Sequence, residues 1–125
     1  MKVEDIITYC LEKKRSYLDY PFGQEPICVK VNNKIFAELY PREENYKITL
    51  KCDIWLAEMY RKQYPGVVIR GYHCPSIQQP HRNTVYINKT VSDDELMDMI
   101  DHSYEQVIKS FSKKIQKEIF GGKDA

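Results

Sequence analysis

The run Tyr46-Lys47-Ile48-Thr49-Leu50-Lys51 alternates apolar and polar residues without interruption. Successive side chains of a β-strand point to opposite faces of the sheet, so this period of two predicts a strand. Tyr46, Ile48 and Leu50 then share one face, and the polar side chains share the other. The chain must therefore fold around a sheet with one face against a core and the other face in solvent or against a binding partner.

Four further strands are predicted from alternation and from turn residues. They are Ile27 to Val31, Lys34 to Tyr40, Val67 to Tyr72 and Thr84 to Asn88. Asn32-Asn33 joins the first two as a tight turn, because Asn tolerates the positive φ that hairpins require. The segment between the last two contains Pro75 and Pro80 and is predicted to be irregular.

Helices are predicted from apolar stripes and from capping residues. The stripe of the first helix consists of Val3, Ile6, Ile7, Cys10 and Leu11. Asp53 is a suitable N-cap for a second helix from Ile54 to Tyr64. Ser92-Asp93-Asp94-Glu95 matches a capping box and starts the longest helix. Ser112 caps a last short helix that continues through Ile119, and Gly121-Gly122 ends it.

This order, helix–three strands–helix–two strands–helix, predicts an α+β fold in one domain spanning residues 1–125. Alternating strands favour a mainly antiparallel sheet, here five-stranded, with one covered face. Helices packed on that face give a two-layer sandwich. The predicted core comprises Ile6, Leu11, Val29, Ile48, Leu50, Ile100, Tyr104 and Val107.

Charge and composition exclude several classes of protein. Lys plus Arg is 19 and Asp plus Glu is 18, so the net charge is +1, and an anion-binding surface requires local segregation of charge. Neither a signal peptide nor a run of ~20 apolar residues is present, which predicts a cytoplasmic protein with no membrane partner. The cysteines show no C-x-x-C pair and are expected to be free thiols: Cys10, Cys28, Cys52 and Cys74.

No recognisable catalytic or metal-binding pattern occurs in the sequence. His73, His81, His102 and Cys74 supply no pair at the spacing of a structural zinc site. The sequence contains neither a G-x-S-x-G elbow nor a phosphate-binding glycine loop. We therefore expect a protein that is not an enzyme and that needs no metal and no small-molecule cofactor.

The sheet face opposite the core is the candidate binding site. Residues predicted to lie on or beside that face are Lys30, Lys47, Lys51, Arg70, Tyr72, Arg82 and Tyr86. Lysine and arginine suit phosphate contact, and tyrosine suits packing against bases, so double-stranded DNA is one expected partner. Tyr and Arg are also enriched at protein interfaces, which leaves a protein partner or a homodimer open. A third possibility is that the lysines only keep the face soluble.

An ordered set of short segments resembles the MmcQ/YjbR family nearly from end to end. The segments are Tyr20-Pro21-Phe22-Gly23, Lys30-Val31, Lys34-Ile35-Phe36-Ala37, Gly71-Tyr72-His73, His81, Asn83-Thr84-Val85, Ser103-Tyr104 and Lys113-Lys114. The resemblance implies a fold related to secretion chaperones and to the DNA-binding domain of a phage transcription factor. It also implies DNA binding, or a homodimeric, chaperone-like adaptor.

The chain departs from the family pattern after Gly71-Tyr72-His73. The following linker, Cys74 to Pro80, is longer than usual and carries no charge. Arg82 stands where the family commonly has Trp. If this loop contacts a ligand, these differences change the specificity that the resemblance implies.

Overall fold

The helices and strands of this chain form two layers in a computed structural model that describes residues 1–42, 44, 46–72 and 74–121. The helices are α1 Val3–Leu11, α2 Ile54–Gln63, α3 Asp93–Lys109 and α4 Lys113–Phe120. The strands are β1 Ser16–Asp19, β2 Ile27–Val31, β3 Lys34–Tyr40, β4 Lys47–Lys51, β5 Val68–Arg70 and β6 Arg82–Tyr86. A 3₁₀ turn, Gln79–His81, precedes β6.

The sheet has six strands in the order β1-β2-β3-β4-β6-β5, and each neighbouring pair is antiparallel. The predicted α+β class and the antiparallel sheet are confirmed, whereas the predicted count of five strands is wrong. The additional strand is β1, which pairs with β2 from Ser16↔Val31 to Asp19↔Cys28. Arg15, at a φ of +61°, turns the chain from α1 into this short strand.

All the helices that contact the sheet lie on one face of it, as predicted. α1 packs on β1 and β2, α3 on β3 and β4, and α2 on β5 and β6. Seven of the eight predicted core residues are buried: Ile6, Val29, Ile48, Leu50, Ile100, Tyr104 and Val107. The exception is Leu11, which is 40% exposed because it is the last residue of α1, where the chain turns away.

The helices begin at the predicted capping residues. Asp53 accepts hydrogen bonds from the N–H groups of Trp55 and Leu56. Ser92 and Ser112 each accept one from the N–H three residues later. Among the described residues, no helix combines the length and apolar character needed to cross a bilayer.

A bulge in β3 determines how the sheet meets α3. Lys30 pairs with Ile35 and Val29 with Ala37, so Phe36 is the extra residue and its side chain enters the core. The buried Ser103 hydroxyl on α3 donates to the Phe36 carbonyl at 2.5 Å. The same oxygen accepts from the Lys51 N–H at 2.9 Å. Ser103 thus bridges β3 and β4 where the regular ladder between them stops.

Truncation of Leu50 should test the assignment of the two sheet faces. Leu50 is only 2% exposed and lies under α3, so Leu50→Ala leaves a cavity. We expect a loss of about 2–5 kcal/mol in the free energy of unfolding, measured by urea denaturation. Leu11→Ala is the matched control and should cost less than about 1 kcal/mol, because that side chain is substantially exposed. Equal losses for the two variants would contradict the assignment.

Candidate binding site on the outer face of the sheet

The outer face, turned away from the helices, carries three rows of side chains that run across the strands. Antiparallel partners in register point to the same face, so strand pairing defines each row. The cationic row consists of two pairs that line the same cleft, Lys30 with Ile35 and Lys51 with Arg82. The middle row is Cys28, Glu38, Thr49 and Thr84. The tyrosine row is Tyr40, Lys47 and Tyr86.

Two connecting segments cover much of this face, so it is not open to solvent along its whole area. Lys47 is 4% exposed and Thr84 is fully buried. Residues 20–26 lie along one side, where Phe22 lines clefts that open onto both end rows. Residues 71–72 and 74–81 lie along the other side. Their backbone packs so tightly on β6 that a Cβ at Gly71 would lie 3.0 Å from that of Arg82.

The cationic row forms a cluster of positive charge beside an exposed aromatic ring. Lys51, Arg82 and Lys30 line a cleft of about 290 Å³ together with Lys34 and Phe22. Lys30 also forms an ion pair with Asp19 at 2.7 Å. Burial and the nearby charges of Arg82 and Lys34 lower the pKa of Lys51. Three of the predicted binding residues therefore converge here, and a bound anion would relieve their mutual repulsion.

The tyrosine row encloses Lys47 between aromatic rings. Its Nζ lies 4.3 Å from the ring centroid of Tyr72, 5.0 Å from that of Tyr40 and 5.9 Å from that of Tyr86. Tyr40 and Tyr72 meet edge to face, with centroids 5.4 Å apart. Cation–π contacts of this kind stabilise an ammonium that has lost water. Lys47 thus lies with Tyr72 and Tyr86, as predicted, but inside a cage rather than on a wet surface.

Glu38, in the middle row, faces a second cleft of about 530 Å³. Burial raises the pKa of its carboxyl, and this effect exceeds the lowering by Arg82 and by a hydrogen bond with Tyr40. Tyr40 and Tyr72 also line this cleft, and Phe22 forms part of the rim that it shares with the cationic row. Burial raises the pKa of the Tyr40 hydroxyl, so that group stays protonated and able to donate.

Arg70 lies on the other side of the sheet from its predicted position. It pairs with Asn83, whose side-chain amide donates to the Ala57 carbonyl on α2, so both residues face the helix layer. The predicted parity from Arg70 to Tyr72 is wrong because β5 ends at Arg70 and Gly71 breaks the alternation. Arg82, predicted just before a strand, is the first residue of β6.

Sequence reasoning missed Glu38, Tyr40, Phe22 and Lys34 as site residues. Glu38 had a detectable signal, since it stands between the apolar residues Ala37 and Leu39 and therefore shares the parity of the polar face. Tyr40 follows at the same parity. Phe22 gave no such signal, because its position depends on how the 20–26 segment folds back over the sheet.

The four cysteines are free thiols, in agreement with the sequence prediction. Burial raises the pKa of Cys28 to about 11 and that of Cys52 to about 12, so both are protonated and weakly nucleophilic at neutral pH. Within the described ranges, no group of three His, Cys, Asp or Glu side chains could hold a metal ion. The Nε2 of His102 accepts the Asp53 N–H, and His73 lies outside the described residues.

The structure is an α+β domain with helices on one face of the sheet and, on the other, two clefts lined by aromatic and charged side chains. The chain belongs to the YjbR family, whose model matches residues 11–106. It is 23% identical to Escherichia coli K12 YjbR over 117 residues, covering 94% of this chain and 96% of that protein. It is 30% identical to YbdF of E. coli O157:H7 over 105 residues, covering 84% and 83%.

Two solved structures share this fold. The Deinococcus radiodurans protein DR2400, with a domain described as DUF419, has a TM-score of 0.85 and 27% identity, covering 94% of this chain and 87% of that one. A Pseudomonas syringae protein has a TM-score of 0.69 and 22% identity, covering 85% and 98%. The second likeness concerns the fold alone.

Replacement of Glu38 should show whether burial raises the pKa of its carboxyl in the folded protein. A carboxyl with a raised folded-state pKa stabilises the fold below its unfolded value, here 4.5, and that contribution is lost as pH rises through the folded value. Glu38→Gln should therefore unfold at a higher temperature than the parent at pH 7, and the gap should close below about pH 4.5. Melting curves between pH 4 and pH 8 measure this.

Glu105→Gln is the matched control, since Glu105 is exposed on α3. It should leave the pH dependence of the melting temperature unchanged. A Glu38→Gln variant that melts below the parent at pH 7 would contradict the expectation.

Proposed function

We propose that this protein binds DNA in the cytoplasm through the outer face of its sheet. The observation that carries the proposal is the convergence of Lys30, Lys51 and Arg82 around one cleft. Lys34 borders this cleft from the helix side, where its Nζ donates to the Ser110 hydroxyl at 3.1 Å. The proposed activity is binding, without a catalytic step and without a metal or cofactor.

Charge supports phosphate as the group held at the cationic row. Asp19 offsets Lys30 and Glu38 partly offsets Arg82, so the row together with Lys34 keeps an excess of positive charge in a chain whose net charge is +1. Phosphate oxygens accept hydrogen bonds from Lys and Arg, and such contacts supply most of the sequence-independent affinity for DNA. The low net charge means that affinity depends on this cluster rather than on the charge of the whole molecule.

The aromatic groups beside the row support contact with bases. Phe22 is 66% exposed and stands between the cationic row and the cleft of Tyr40 and Tyr72. Base–aromatic stacking adds about 1–3 kcal/mol per base at single-stranded sites. A nucleic acid whose phosphates lie on the row can therefore bring a base against these rings.

A second candidate function is a protein-interaction module, as in a homodimeric adaptor. The observation that favours it lies on α2, where Trp55 is 74% exposed, Met59 58% and Ile54 36%. Trp55 and Met59 are four residues apart and therefore neighbours on one helix face. Exposed aromatic and Met side chains are typical of the anchors at protein interfaces.

The DNA proposal predicts a measurable dependence on salt. If the four cations of the cleft neutralise about four phosphates, the log–log slope of affinity against salt is about −3.6 for a duplex. Affinity should then fall about 100-fold between 50 and 200 mM salt. Lys51→Gln combined with Arg82→Gln should reduce the magnitude of the slope by about 1.8. Fluorescence anisotropy with a labelled duplex at several salt concentrations gives both values.

Lys14→Gln combined with Lys62→Gln is the control, because it removes the same charge from exposed sites outside the cleft. It should leave the slope nearly unchanged. Lys47 is unsuitable for this test, since it is buried and its replacement would disturb the tyrosine cage. Equal slopes for both double variants would remove the cationic row as the site, and no binding at low salt would remove the DNA proposal.

The second candidate predicts self-association through α2. Trp55 is the only tryptophan, so its emission reports directly on burial of that helix. Sedimentation velocity should show a dimer, with a blue shift of the emission as concentration rises. Trp55→Ala should return the protein to a monomer, and Trp55→Phe should retain part of the association. A monomer at every concentration would contradict homodimerisation.

A further inference from the structure

The cleft that contains Glu38 has the size and lining of a site for one flat, neutral ring system. Its volume of about 530 Å³ falls in the range of small-molecule sites. Phe22, Tyr40 and Tyr72 supply aromatic surface, and Glu38 supplies a carboxyl group. This cleft shares Phe22 with the cationic row, so an occupant here can be joined to a phosphate held there.

The charges around Glu38 restrict what it can bind. An ionised carboxylate has only acceptors, and its two oxygens match two parallel N–H donors. Arg42 and Glu25, which also line the cleft, form an ion pair at 3.2 Å and offset each other. A cationic donor such as a guanidinium would still be repelled by Lys47, which lines the same cleft, and by Arg82, which acts on Glu38 electrostatically. An anionic ligand would be repelled by Glu38 itself. The matching group is therefore a neutral planar ring that carries two adjacent N–H donors.

We infer that the Glu38 cleft binds one unpaired guanine of the nucleic acid held at the cationic row. Guanine presents N1–H and the N2 amino group side by side on its Watson–Crick edge, whereas thymine has one N–H there, and adenine and cytosine each pair an amino group with an acceptor. The inference rests on the proposed function and extends it to a specific base.

The spacing of the rows agrees with a nucleotide. Glu38 pairs with Thr49, which lies two residues before Lys51 on β4. Two residues of a strand span about 7 Å, which is the separation of the two rows at the backbone. The long side chains of Lys51 and Arg82 can extend this distance toward the phosphate of a nucleotide whose base lies against Glu38. In a duplex the Watson–Crick edge of guanine is occupied by cytosine. The bound guanine must therefore belong to a single strand, or be extruded from a duplex.

The test compares labelled five-nucleotide single strands that differ only at the central position, by fluorescence anisotropy at pH 8 and low salt. The central base is guanine, hypoxanthine or thymine in an otherwise all-thymine strand. We expect the guanine strand to bind about tenfold more tightly than the thymine strand. Hypoxanthine, which lacks the N2 amino group, should fall between them. Glu38→Gln should bring all three within about twofold while retaining affinity for the thymine strand.

Glu105→Gln, the exposed control on α3, should keep the full guanine preference. Equal affinity of the parent for all three strands would overturn the guanine site and leave nucleic-acid binding in place. Calorimetric titrations with guanosine monophosphate and with adenosine monophosphate then distinguish failure of the guanine site from failure of DNA binding. A preference for the guanine nucleotide without binding of any strand supports the base site and removes the DNA function, whereas no binding of strands or nucleotides removes both.

Discussion

The buried hydroxyl of Ser103 is the contact on which the geometry of both layers depends. The ladder between β3 and β4 ends at Ala37↔Leu50, beside the bulge at Phe36, which would leave the Phe36 carbonyl and the Lys51 N–H without partners. Ser103 satisfies both, since its oxygen donates to one strand and accepts from the other. An unsatisfied buried polar group costs about 1–3 kcal/mol, so this oxygen fixes α3 against the sheet. It also fixes Lys51, whose own N–H it holds, at the edge of the cationic row.

The parts of the fold that follow from local chemistry could be predicted from the sequence. The turn at Asn32-Asn33 adopts positive φ at both residues, and the caps at Asp53, Ser92 and Ser112 form as expected. Each depends on a few neighbouring atoms. The strand β1 could not be predicted in this way, because its four residues gain their conformation from pairing with β2.

The candidate site could be predicted only in part, for a related reason. Period-two alternation correctly places Lys51 on the outer face, but it carries no information about which connecting segments fold back over that face. Lys47 shares the parity of Lys51 yet lies inside a cage of aromatic rings. The two lysines therefore line different clefts, Lys47 the one that contains Glu38 and Lys51 the one formed by the cationic row. Arg70 shows the opposite failure, since alternation is lost where β5 ends.

The clefts of the outer face combine paired strands, whose positions are fixed, with connecting segments, whose length and sequence can change during evolution. Their floor is a set of paired strands, whose registers are locked by the core beneath them. Their walls are residues 20–26 and the described residues of 71–81, which lie between the paired strands. Closing a loop costs little more when the loop lengthens, about 0.6 kcal/mol for each doubling. The uncharged Cys74–Pro80 stretch belongs to one such segment, so a change in its length would reshape the clefts at little cost in stability and would leave the paired strands in place.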